Sequence, residues 1–121
     1  MVENKQYITQ LQENGRILIS EDVVSAIVLQ AVNEIDGFAG LSTKPGADIA
    51  ELIGKHWGKG IKISINDDNE LTVECNILAF YGCSVVSVAQ EIQARVASEL
   101  ESVTGAKVIG VNVNVCGIVR K

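Results

Sequence analysis

The stretch IKISINDDNELTVECNILA, residues 61–79, decides the fold. Ile61, Ile63 and Ile65 fall on one side, and Lys62, Ser64 and Asn66 on the other. A period of two marks a strand with one buried face. The middle, NDDNE at 66–70, is a run of turn formers whose composition backbone hydrogen bonding explains. Beyond it Leu71, Val73, Cys75, Ile77 and Ala79 resume the alternation, with Thr72, Glu74 and Asn76 opposite. The pattern predicts a β-hairpin with one apolar face and one polar face.

Downstream, FYGCS at 80–84 breaks the strand at Gly82. Ser84 is placed to cap a helix that stops at Thr104–Gly105, with Val85, Val88, Ala89, Ile92, Val96, Leu100 and Val103 as its apolar stripe. A last strand is predicted over 107–119, with Ile109, Val111, Val113 and Val115 inward and Asn112 and Asn114 outward. Upstream, residues 1–14 are polar and read as a flexible arm. GRILIS at 15–20 reads as a short strand, and Ser20 caps a helix whose first turn carries Glu21 and Asp22, favourable at the positive end of the dipole. Val23, Val24, Ile27, Val28, Ala31, Val32 and Ile35 form its stripe, and Asp36–Gly37 stops it. GFAGLSTKPGA at 37–47 reads as a loop, and DIAELIGK at 48–55 as one or two helical turns.

The predicted order is β-α-(short α)-β-β-α-β. Two amphipathic helices need one apolar surface, and the strands supply one. The expected fold is therefore α+β, a two-layer sandwich with both helices on one face of a small mixed sheet. Residues 15–121 make one domain after the arm, consistent with a length of 121 residues. Lys62, Ser64, Thr72, Glu74, Asn76, Asn112 and Asn114 are left on the far face, which meets water or a polar partner.

Composition excludes several functions. Apolar residues are 47% of the chain but aromatics only 4%, so the core is aliphatic and base-stacking platforms are scarce. A net charge of −5 lacks the basic footprint that binding nucleic acid needs. The polar N-terminus has no signal-peptide core, and the run VVSAIVLQAV is too short to span a bilayer, which predicts a cytoplasmic protein without transmembrane insertion. Cys75, Cys83 and Cys116 are widely spaced without a CxxC pair and read as reduced thiols. No metal and no cofactor are expected.

The richest stretch for binding is GKHWGKGIK at 54–62. It fails as a P-loop, because a strand follows and no Ser or Thr comes after Lys59. Two readings stand. Lys55, Trp57, Lys59 and Lys62 bind an anion or a lipid headgroup, or the glycines merely turn the chain into the strand while Trp57 packs at the core edge. His56 has no partner ligands nearby in sequence. Cys83 at a helix start is the one candidate for an activated thiolate, but no base accompanies it, so it reads as structural. No catalytic residue is assigned. For self-association the candidates are Leu29, which leaves the stripe of the first helix, Leu78 on the polar side of its strand, and Asn112 and Asn114, together with an exposed strand edge.

Several segments in order resemble the alkaline-shock, envelope stress response protein family of Gram-positive bacteria. They are GRILISEDVVSAIVLQAVNEIDGFAGL at 15–41, GK at 54–55, KGIKISI at 59–65, VECNILAFYGCSVVSVAQEIQARVASELESVTG at 73–105 and VNVNVCGI at 111–118. The resemblance implies a small non-enzymatic cytoplasmic protein of cell-envelope homeostasis. It implies protein contacts, peripheral placement at the membrane through a membrane-embedded anchor protein, or else regulation of fatty-acid synthesis through an enzyme partner. It supplies no catalytic residues. Trp57 and His56 depart from the family's usual pattern.

Overall fold

The structure, a computed structural model, describes residues 7–42 and 60–120. The expected short helix at 48–55 and Lys55, Trp57 and Lys59 lie outside the described residues. What is described is the expected α+β arrangement on a small mixed sheet, with two helices, six strands and two sheets.

The first element corrects the expected arm. Strand β1 (Tyr7–Gln12) pairs antiparallel with β2 (Gly15–Ser20) around Glu13–Asn14, from Tyr7 opposite Ser20 to Gln12 opposite Gly15. Three contacts hold β1 down, one of them the Gln10 side-chain amide donating to the Thr104 carbonyl. Ile8 is fully buried in the core. The Asn69 side chain also behaves as a piece of neighbouring strand: its Oδ1 accepts from the Thr9 N–H at 3.1 Å and its Nδ2 donates to the Thr9 carbonyl at 2.9 Å. Asn69 sits at φ 62°, a left-handed conformation that Asn tolerates better than most residues.

Helix α1 (Glu21–Asn33) starts as expected, with the Ser20 hydroxyl accepting from the Val23 N–H at 3.4 Å. Val24, Val28, Ala31 and Val32 are buried, with Ile35 just beyond the helix end. Two expected positions differ. Val23 is 47% exposed, because the buried stripe is centred on Val28 and Val23 falls past its rim. Leu29, expected to project outward, is half-buried and packs against the core.

The expected loop after α1 contains a strand instead: Phe38–Leu41 is β3. It pairs antiparallel with the upper half of β5 (Leu71–Phe80), Phe38 opposite Ala79 and Leu41 opposite Ile77. Strand β4 (Ile61–Ile65) pairs antiparallel with the lower half, Ile61 opposite Cys75 and Ile65 opposite Leu71. Strand β6 (Val108–Val119) runs parallel to β5 along its whole length. A strand has two sides, so β3 and β4 share one side of β5 end to end while β6 holds the other.

Helix α2 (Val85–Thr104) is capped by Ser84, whose hydroxyl accepts from the Ser87 N–H at 3.3 Å, and is ended by Gly105 at φ 73°. Val88, Ile92, Val96 and Leu100 are buried. Val103, expected in the stripe, is 60% exposed, and Thr104 is buried in its stead. Thr104 is tolerated there because its hydroxyl donates to the Leu100 carbonyl at 2.6 Å and accepts from the Ala106 N–H at 3.2 Å. Both helices close over the face of Ile61, Ile63, Ile65, Leu71, Val73, Cys75 and Ile77. An exposed ion pair, Arg95 to Glu34 at 2.8 Å, links them and adds little stability in water.

Candidate functional site

Residues opposite each other in a ladder share a face. The registers therefore assemble the polar face in rows: Lys62, Glu74 and Asn112 form one, Ser64 and Thr72 a second, Asn76 and Asn114 a third. Asn114 Nδ2 donates to Asn76 Oδ1 at 2.9 Å and reaches Glu74 Oε2 at 3.4 Å. Asn76 is fully buried, and its Nδ2 has no hydrogen-bond partner. Its backbone is fully used: the N–H donates to the Gly60 carbonyl at 2.8 Å and the carbonyl accepts from the Ser42 N–H at 2.7 Å.

Of the four residues considered for anion binding, Lys62 alone is described. It is half-buried in the row with Glu74, so a carboxylate faces it across the strand pair. The four residues considered for self-association separate. Leu29 lies on the helix side against the core. Leu78, Asn112 and Asn114 share the far face, and Leu78 is half-buried against Gly117: a Cβ there would stand 3.0 Å from Leu78 Cδ2.

Strand β6 departs most from the expected alternation. Its register with β5 slips twice, passing Ile109 between Val108 and Gly110, and Cys116 between Val115 and Gly117. Each slip is a β-bulge, which leaves one residue without an opposite number and turns the side chains beyond it. Ile109, expected inside, is thus 51% exposed, and Val108 packs against the core in its place. Val115, also expected inside, borders the second bulge and is exposed, as are Ile118 and Val119. Gly110 and Gly117 follow the bulged residues, and a glycine inside a strand pattern is the sequence signal that marks such sites.

Among the described residues β6 pairs with β5 alone. Its other edge is met by two α2 side chains near its start. Gln93 Nε2 donates to the Val111 carbonyl at 3.0 Å, and Glu101 Oε2 accepts from the Val108 N–H at 3.0 Å. A shallow open groove lies here between α2 and β6, lined by Gln93, Ala97, Val108, Ile109, Gly110 and Val111. The strand sequence, VIGVNVNVCGIV, contains no charged residue. Edge strands are commonly guarded by charges, most often lysine.

The thiols differ. Cys75 is buried in the core face, and burial, with a smaller contribution from Glu74, pushes its pKa up to about 12. Cys83 and Cys116 are exposed and free. Among the described residues no three His, Cys, Asp or Glu side chains group to hold a metal ion, and no helix is long and apolar enough to cross a membrane.

A small two-layer α+β domain with a polar sheet face and an uncharged last strand is the class of protein these features define. The chain belongs to the alkaline shock protein 23 family, described as having a cell envelope-related function, whose profile matches residues 9–120. Its relatives include the uncharacterized protein YqhY of Bacillus subtilis (strain 168), 28% identical over 105 residues that cover 86% of this chain and 77% of the relative. Two uncharacterized proteins of Streptococcus pyogenes serotype M6 are each 30% identical. Spy1535 aligns over 88% of this chain and 81% of its own length, and Spy1614 over 88% and 89%. No solved structure matches. The family agrees with the resemblance carried by the sequence motifs, and no enzyme family is indicated.

Proposed function

We propose that this envelope-related protein is not an enzyme and acts at the inner face of the cell membrane through protein–protein contacts, self-association among them. The observation that carries this reading is β6: twelve residues, bonded among the described residues to β5 on one side, uncharged, with Ile109, Val115, Ile118 and Val119 exposed along it. Unpaired strand edges favour association with another chain. A membrane-embedded protein, not lipid, supplies the attachment. The net charge of −5 opposes direct adsorption to anionic lipid, where each lysine near the surface contributes only about 1 kcal/mol.

Two measurements test the reading. Sedimentation velocity over a wide concentration range should show mass rising with concentration, and a constant monomer mass would overturn self-association. The purified protein should stay in the supernatant with anionic liposomes. Partner-free pelleting that disappears in high salt, and on changing Lys55, Lys59 and Lys62 to Glu, would place lipid binding in the lysine stretch instead.

A further inference from the structure

We infer that a second copy of this chain pairs with β6 edge to edge, antiparallel, about a two-fold axis at Val113. The inference rests on the self-association reading above and names its surface and register. Three observations lead to it. First, between the two bulges at Ile109 and Cys116 lies the longest stretch of β6 in unbroken register with β5, Gly110–Val115. The edge groups at the start of the strand are engaged by α2: the Val108 N–H by Glu101, and the Val111 carbonyl by Gln93. A carbonyl has a second lone pair, so Val111 still accepts from a neighbouring strand.

Second, pairing about Val113 sets Val111 opposite Val115 of the second copy, and Asn112 opposite its Asn114. Valines then meet on the helix side. On the far face amides meet amides, and each amide both donates and accepts. Third, charge selects the occupant. The molecule carries −5, so two copies repel over most contacts. The β6 strand has no charge of either sign, which makes it a place where identical surfaces meet without placing like charges opposite one another.

Site-directed disulfide formation reads the register. In a chain with Cys83 and Cys116 changed to Ser, Val113→Cys stands opposite its own copy, within the roughly 4.4–6.8 Å between Cα atoms that a disulfide accepts. Ile118→Cys lies ten positions out of register with its copy, roughly 30 Å away at the rise of a strand. Mild oxidation should convert Val113→Cys to a covalent dimer and leave Ile118→Cys as monomer. A second pair of variants reads the opposition of Asn112 and Asn114. Asn112→Lys with Asn114→Lys places lysine opposite lysine and should halve the sedimenting mass at concentrations where the parent is dimeric. Asn112→Lys with Asn114→Glu places each lysine opposite a glutamate and should retain the dimer.

Both double variants are read after circular dichroism confirms the parent fold. The inference is overturned if Val113→Cys cross-links no faster than Ile118→Cys, or if both charge variants dissociate alike. If the parent nonetheless gains mass with concentration, self-association survives through another surface. If the parent is monomeric throughout, both readings fail and the edge belongs to a strand of a different protein.

Discussion

Strands β5 and β6 lie side by side and parallel, of similar length and similar alternating composition, yet they do opposite things. The β5 strand is bonded on both sides, and every second residue from Leu71 to Ala79 is buried. Among the described residues the β6 strand is bonded to a neighbouring strand on one side, slips register twice, and buries Val111 alone below a tenth of its surface. The difference teaches that alternation reports burial faithfully where a strand is regular and covered on one face. At an edge, bulges decide which residues face the core. Each strand carries a cysteine, a long aliphatic residue and an asparagine, so the contrast can be tested like for like.

The cysteines should show the largest difference. With its pKa pushed from 9.0 to about 12, Cys75 presents about a thousandfold less thiolate at pH 8 than an unshifted thiol. Iodoacetamide on the native protein should label Cys116 and leave Cys75 untouched until denaturant is added, as mass spectrometry of the peptides will show. The same burial sets a pH dependence. The folded pKa of Cys75 lies above the unfolded value, so this contribution to stability is fully present below about pH 9. It is lost as the pH rises towards 12, because the unfolded thiol ionises first. A Cys75→Ala variant should be less stable near neutrality and show a shallower decline over that alkaline window.

Aliphatic truncation comes next. Ile77→Ala opens a cavity under both helices and should cost about 2–5 kcal/mol in denaturant unfolding. Ile118→Ala removes an exposed side chain and should cost less than about 0.5 kcal/mol. Equal losses would mean that the β6 end is covered as β5 is.

The asparagines sharpen the comparison, because here the exposed strand supports the buried one. Asn114→Ala leaves the buried Asn76 Oδ1 without its donor and should cost about 1–3 kcal/mol. The exposed neighbour Asn112→Ala should cost under about 0.5 kcal/mol. If Asn114→Ala is as mild as Asn112→Ala, the bond to Asn76 is not contributing.

The two-residue period of 61–65 and 71–79 was legible because both strands are regular and their apolar face lies wholly under helices. The helices were legible from Ser20, Ser84 and Gly105, whose capping chemistry is local. Their rims were not, since the side to which Val23 or Thr104 turns depends on where the other layer lies. Strand β1 escaped because its hold on the domain is long-range: nothing near Thr9 in sequence announces that Asn69 will bond its backbone. Strand β3 escaped because Gly37 and Gly40, both at positive φ, disguise a short pairing segment as a loop. The residues of the far face were legible from the alternation, but neither their pairing into rows nor the full burial of Asn76 was. The character of the β6 edge was not legible, because Gly110 and Gly117 signal the bulges without telling how exposed the side chains beside them become.

The end-to-end placement of β3 and β4 has a consequence for mutation. Ser42 and Gly60 bond to the carbonyl and the N–H of one residue, Asn76. The strands on either side, β3 and β4, are thus tied to a single point of the sheet. A substitution at Asn76 is accordingly felt by both strands at once, β3 through Ser42 and β4 through Gly60.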